Sequence, residues 1–138
     1  MDSSFLVSCY VDDVQLAEAD RRMSAAPAVW VTPLNRAELA NAIHRYVFRG
    51  KLSPSEAQQA WNGFQRDLRN RVWISTGLPE RIWETSIMLA EMHGSTLGVR
   101  TLDSLHVACA LELNAQKFWT FDDRQAKLAE AVGLDTSA

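Results

Sequence analysis

Residues 28–32 read Ala-Val-Trp-Val-Thr, and Pro33 follows at once. A compact run of β-branched and aromatic residues that stops at Thr-Pro is a buried strand passing into a helix. Thr32 serves as its N-cap, and Pro33 takes the first helical position, where the missing N–H costs nothing. Two more runs share this make-up, Arg-Val-Trp-Ile-Ser-Thr at 71–76 and Lys-Phe-Trp-Thr-Phe at 117–121. Helical patterns lie around them: Pro33 to Gly50, the capping box Ser53-Pro54-Ser55-Glu56 leading on to Asn70, Pro79 to His93, Thr101 to Asn114, and Asp123 to Val132. Strands alternating with helices of this length pair in parallel, because parallel strands need long crossovers and a covered sheet. The expected class is α/β, a three-layer α/β/α sandwich around a short, mostly parallel sheet.

The chain has 138 residues, the size of one domain, and no repeat, low-complexity tract or linker divides it. Residues 1–138 are therefore expected to form a single domain. Hydrophobic residues make up 47% and charged residues 22%, an ordinary globular balance. No apolar run approaches the roughly 20 residues that span a bilayer. Asp2 stands where a signal peptide carries basic residues. A cytoplasmic protein with no membrane partner is expected. Cys9 and Cys109 lie apart in apolar runs, which predicts neither a disulfide nor a structural zinc. The net charge of −3 excludes nucleic-acid binding by bulk charge. From Arg36 to Arg81, however, eight basic residues face four acidic ones.

Open parallel sheets bind ligands at the carboxyl ends of their strands, so the polar residues there carry the chemistry. They are acidic: Glu38 in the second turn after the first run, Asp122 directly after 117–121, Asp103 in a first helical turn, and Asp2 before the apolar run 4–11. Each has a structural explanation. Asp122 or Asp123 caps the last helix, and for Asp123 a cap is preferred to a secondary-ligand role; Asp103 favours a helix's positive end, and Glu38 has capping-box spacing to Asn35. Together, with Ser4 and Thr120 nearby, they form the oxygen donor set of a hard cation such as magnesium or manganese. Two carboxylates about 5 Å apart at an effective dielectric near 20 repel by about 3 kcal/mol, so protons or metal ions are expected to fill the cluster.

Asp-Ser-Ser-Phe-Leu at 2–6, Glu-Leu-Ala-Asn-Ala-Ile at 38–43, Leu-Asp-Ser-Leu-His-Val-Ala at 102–108 and Thr-Phe-Asp at 120–122 stand in an order and spacing that resembles the successive motifs of the PIN-domain ribonucleases. More narrowly, the chain resembles the VapC-type toxins of bacterial toxin-antitoxin pairs. The resemblance implies a PIN-like sandwich and a Mg2+- or Mn2+-dependent endoribonuclease that leaves 5′-phosphate and 3′-hydroxyl ends. Its catalytic and metal-binding acids would be Asp2, Glu38, Asp103 and Asp122, supported by Ser4 and Thr120. In the chemistry it implies, one ion activates a water for in-line attack and a second stabilises the leaving oxygen. It also implies an RNA substrate, a homodimer, and a cognate antitoxin that blocks the site. One departure is visible: in the family several apolar residues precede the first acid as the central strand, whereas here only Met1 does, so the expectation is either a chain that starts later than its relatives or a shortened first strand.

The remaining signals are weaker. Asp12 and Asp13 would form a receiver-like acidic pair if residues 5–11 were a strand. The runs at 28–32 and 71–76 end in Thr-Pro and Ser-Thr-Gly, however, and offer no phosphate-accepting Asp. His106 follows Asp103 by three residues on one helical face, but no second Asp-x-x-His copy completes a di-iron site, so it is expected to pack. Phosphate-loop, serine-hydrolase and zinc-protease motifs are absent. Trp30, Trp73 and Trp119 are expected in core packing, and so are Trp61 and Trp83 in amphipathic helices, for which a dimer or antitoxin groove is the alternative. Arg45, Arg49, Lys51, Arg66 and Arg69 are the candidate RNA-phosphate contacts. The competing reading is a catalytically degenerate module of the same fold that binds a protein partner.

Overall fold

The computed structural model describes residues 1–11, 13–25 and 27–137; Asp12 lies outside them. The described residues form seven helices and two strands in the order α1 (Ser3–Ser8), α2 (Leu16–Met23), β1 (Val29–Val31), α3 (Pro33–Phe48), α4 (Pro54–Arg69), β2 (Trp73–Ser75), α5 (Ile82–Leu97), α6 (Thr101–Glu112) and α7 (Asp123–Ala131). The class is a mostly helical α/β fold with a short parallel two-stranded sheet. No helix among the described residues is long and apolar enough to cross a membrane. The residues group into two compact units, one of Phe5–Thr76 and one of Met1–Ser4 with Gly77–Ala138.

In the Phe5–Thr76 unit, β1 and β2 pair in parallel with Val29 opposite Trp73, Trp30 opposite Ile74 and Val31 opposite Ser75. The ladder extends by one bond, from the Thr76 N–H to the Val31 carbonyl at 3.0 Å. Val29, Val31 and Trp73 are buried, while the register partners Trp30 and Ile74 are exposed. Trp30 thus departs from the core placement expected of it, because the period-2 alternation of β1 turns it away from its buried neighbours. The crossover from β1 to β2 runs through α3 and α4. Both of these helices begin as their sequences predict. Thr32 and Asn35 form one capping box and Ser53 and Glu56 the other, each followed by proline. The turn after α3 closes on Gly50 at φ +68°, a conformation that only glycine adopts without strain. Tyr10 ties three parts of the unit together: its hydroxyl donates to Asp67 Oδ2 at 2.7 Å and accepts from the Trp73 indole N–H.

Helix α2 is an element the strand-and-helix reading passes over. Gln15 at its N-cap makes no side-chain capping bond, and the helix is laced instead by Glu18, which pairs with Arg21 and Arg22, each at 2.7 Å. The segment before it is helical as well: α1 occupies residues that a receiver-like reading would have made a strand.

In the second unit, α6 is the central element. Every residue from Asp103 to Ala110 is buried, more than two full turns. Its composition explains most of this: Ala108, Cys109 and Ala110 are small and Leu105 and Val107 apolar, while the buried polar residues are bonded, Asp103 to Arg100, Ser104 to Ser86 and the Thr101 carbonyl, and His106 lies 3.4 Å from Ser3 Oγ. Helices α5 and α7 both pack on it. Ile82, Leu89, Phe118, Trp119, Leu128, Ala129 and Leu134 are the other buried apolar side chains of this unit.

The expected third strand at 117–121 is reduced to an isolated parallel bridge between Lys117 and Asp135. Two bonds define it, Phe118 N–H to the Asp135 carbonyl at 2.8 Å and Asp135 N–H to the Gln116 carbonyl at 3.4 Å. On the amino-terminal side the run receives one further bond, from the Asp2 N–H to the Trp119 carbonyl at 2.9 Å. Trp119 and Trp73 are buried as expected, whereas Trp83 is exposed on α5. Both cysteines are free thiols.

Candidate active site

Three of the four predicted acids, Asp2, Asp103 and Asp122, lie in the same unit, and a continuous hydrogen-bond network ties their backbones and side chains together. Asp2 is buried, and its Oδ1 accepts from Ser4 Oγ at 2.8 Å. Ser4 Oγ in turn accepts from the Phe121 N–H at 2.9 Å, which holds the 120–122 segment against the amino-terminal turn. Thr120 Oγ1 accepts from the Asp122 N–H at 3.0 Å and donates to Gln125 Oε1 at 2.9 Å. Gln125 Nε2 then donates to the Asp103 carbonyl at 3.3 Å. Ser4 and Thr120 therefore act as connectors: one orients the Asp2 carboxylate, the other fixes the main chain of Asp122.

The capping roles weighed for single acids are real. Asp122 is the N-cap of α7, its Oδ1 accepting from the Arg124 and Gln125 N–H groups at 2.9 and 3.1 Å. The cap is thus Asp122 and not Asp123, which is the first residue of the helix, because the extended backbone of Asp122 is what aims a side chain back at the first-turn amides. Asp103 stands at the third position of α6, and its Oδ2 accepts from the N–H of the N-cap residue Arg100 at 3.2 Å. Capping uses one oxygen of Asp122 and leaves the other available to a cation.

That cation is a side chain of the protein. Arg100 donates from Nε to Asp103 Oδ2 at 2.9 Å, and from Nη2 to Asp103 Oδ1 and Asp122 Oδ2, both at 3.2 Å. The Arg100 side chain is 64% exposed, those of Asp103 and Asp122 10% and 27%. The repulsion between the acids, expected to demand protons or metal ions, is answered here by a guanidinium. Among the described residues, no three Asp, Glu, His or Cys side chains group so as to hold a metal ion. Within this unit, Asp103 and Asp122 share one positive group, and Asp2 is bonded to Ser4.

The donor chemistry of that pair fits a hard divalent cation. Two carboxylates from separate elements already meet a single cationic nitrogen, and magnesium is commonly held by one or two carboxylates with several waters retained. Glu38 belongs to the other unit, half-buried in the second turn of α3; the capping box there is formed by Thr32 and Asn35.

Two residues of the network escape a reading of the acids alone. Arg100 stands three residues before Asp103, an ion-pair spacing across a helix start, and Gln125 stands three after Asp122, the capping-box spacing. Gln125 is only 1% exposed, so its amide is a buried connector. His106 is buried as expected, its Nε2 lying 3.4 Å from Ser3 Oγ. The five candidate RNA contacts, Arg45, Arg49, Lys51, Arg66 and Arg69, are all exposed and belong to the Phe5–Thr76 unit. Arg45 lies in the last turn of α3, and Arg66 and Arg69 in that of α4, where basic residues also favour the negative helix end. Arg66 lies 3.6 Å from Asp67, and Lys51 Nζ lies 5.7 Å from the centre of the Tyr46 ring.

Among curated proteins none matches the chain. Residues 1–131 match the PIN domain family, a span that includes all four acids and residues of both compact units. The helical α/β architecture and the acid-bearing motifs in their order agree with that match, and the chain belongs to the PIN domain family, whose members are commonly nucleases.

Proposed function

We propose that this protein is a divalent-cation-dependent endoribonuclease, the toxin of a toxin-antitoxin pair, working as one PIN domain over residues 1–138. The observation that carries this reading is the network through Ser4, Thr120 and Gln125 that ties Asp2, Asp103 and Asp122 into one unit of a PIN-family chain. Asp2, Glu38, Asp103 and Asp122 would hold one or two Mg2+ or Mn2+ ions. Such an ion, when bound, supplies a nucleophilic water at neutral pH and stabilises charge on a phosphodiester.

The protein's own groups do the positioning. Ser4 keeps the Asp2 carboxylate turned toward the 120–122 segment, and the α7 amides hold one oxygen of Asp122 so that the other faces Asp103. Burial of Asp2 and Asp103 limits water around their carboxylates and strengthens their pull on a cation. Arg45, Arg49, Lys51, Arg66 and Arg69 would attract RNA phosphates. A homodimer and an antitoxin that occludes the acidic site complete the reading, with action in the cytoplasm.

Mapping new 5′-monophosphate RNA ends in bacterial cells after induction of this chain, with Asp103→Asn as control, tests the proposal. Discrete new ends in the unsubstituted strain alone are expected. A second reading, a degenerate interaction module, is favoured by the absence of a three-ligand group among the described residues and by the guanidinium between Asp103 and Asp122. It predicts no new ends in either strain despite soluble, folded protein.

A further inference from the structure

We infer that Arg100 is the resident counter-ion of the acidic site and that its guanidinium exchanges with a divalent cation for the carboxylates of Asp103 and Asp122. The inference rests on the cation-dependent reading given above. Nη2 contacts Asp103 Oδ1 and Asp122 Oδ2 at equal distances of 3.2 Å, so one nitrogen holds the position where both carboxylates direct their charge. These are the oxygens left over by the helix caps, since Asp122 Oδ1 accepts from two α7 amides and Asp103 Oδ2 from the Arg100 amide.

The two ends of Arg100 differ in what holds them. Its backbone is the N-cap of α6, reached directly from α5 through Gly98 at φ +61°. Its side chain is 64% exposed and carries the cation on a long flexible stem. Departure of the guanidinium therefore leaves the backbone cap of Asp103 and the α7 cap of Asp122 in place. Both carboxylates stay where they were, with their charge uncompensated. A hard dication with its retained waters takes oxygen ligands of this kind, and it brings twice the charge. A guanidinium does not shed its proton in proteins, so Arg100 leaves as a cation and added dication drives the exchange.

The test is calorimetric titration of Mn2+ into the full chain without RNA, at fixed ionic strength, for the unsubstituted protein, Arg100→Gln and Arg124→Gln. Arg124 serves as the charge control, an exposed cation at the start of the same helix that Asp122 caps. Arg100→Gln is expected to bind Mn2+ about two- to thirtyfold more tightly, the range set by two exposed ion pairs. Arg124→Gln is expected to stay within about twofold of the unsubstituted protein, because it loses only an exposed, screened charge and keeps the backbone N–H that caps Asp122. Equal affinity for Arg100→Gln and the unsubstituted chain, or an equal gain in Arg124→Gln, overturns the exchange and leaves the cation site standing. Saturable binding to none of the three overturns the exchange together with the cation-dependent reading. The unsubstituted protein gives a check that needs no variant. The Arg100 Nε–H resonance, bonded to Asp103 at 2.9 Å, should shift with added Mg2+ and saturate at the Kd of a parallel calorimetric titration with Mg2+. A resonance unmoved at saturating Mg2+ overturns the proposal.

Discussion

Arg100 and Asp122 are 22 residues apart in sequence and joined at 3.2 Å, Nη2 to Oδ2, through the same nitrogen that bonds Asp103. This one contact links the start of α6 to the start of α7 and offsets part of the charge of two acids that would otherwise repel. Its strength is bounded by exposure: each solvated ion pair contributes about 0.2–1 kcal/mol, and salt weakens it. Without added metal, Arg100→Gln should lower stability by about 0.5–2 kcal/mol at low ionic strength. The difference should shrink at 1 M NaCl. Urea unfolding at two salt concentrations reads it directly.

Gln125 is the most buried polar connector of the site. Gln125→Ala leaves the half-buried Thr120 hydroxyl and the buried Asp103 carbonyl each short of a partner, at about 1–3 kcal/mol for the buried group and about 1 for the half-buried one. A loss of about 2–4 kcal/mol is expected, larger than that of Arg100→Gln. Comparison of the two variants in the same urea series checks the order.

The α3 N-terminus rests on Thr32, whose Oγ1 donates to Asn35 Oδ1 at 2.9 Å and accepts from the Asn35 N–H at 3.4 Å. Thr32→Ala should cost about 1–2 kcal/mol, the upper part of the range for a cap, because both groups are buried. Thermal or urea unfolding checks it.

These capping boxes also show what was legible in the chain. Thr32-Pro33 and Ser53-Pro54-Ser55-Glu56 announce α3 and α4 because a cap, a proline and a polar third residue all act within one turn. Helix α2 carries no such mark; its support is Glu18 reaching Arg21 and Arg22, which a search for apolar periodicity overlooks. The run at 117–121 has the composition of a strand, but a ladder depends on distant partners, and among the described residues it is seen as the bridge to Asp135 and a bond from Asp2. The acids Asp2, Asp103 and Asp122 were legible through their motifs. Arg100 was not, because a basic residue before a helix reads as an ordinary solvated charge, and only the tertiary fold sets it against Asp122.

The Ser53 N–H holds the Glu56 carboxyl below its ordinary value, helped by the Ser53 hydroxyl. A carboxyl whose folded value is depressed stabilises the protein above its unfolded value of about 4.3 and loses that effect as pH falls through the folded value. The stability difference between the unsubstituted chain and Glu56→Gln should therefore be present at pH 7 and shrink below about pH 4. Urea midpoints across that range measure it.

Burial pushes the Cys9 thiol up to about 12 and the Cys109 thiol up to about 11. The thiolate is the reactive form, so neither should alkylate readily at pH 8. Iodoacetamide with intact-mass readout should find little modification in native protein and two adducts after unfolding in urea.

The central claim is that the acids joined through Ser4, Thr120 and Gln125 form a cation-dependent nuclease centre. Its most direct test incubates purified protein with RNA in Mn2+ or in EDTA, for the unsubstituted chain and Asp103→Asn. The account predicts cleavage to 5′-phosphate ends in Mn2+, none in EDTA, and a loss on the order of a hundredfold or more in Asp103→Asn. Cleavage that persists in EDTA or in folded Asp103→Asn, or none by the unsubstituted protein in Mn2+, would contradict it.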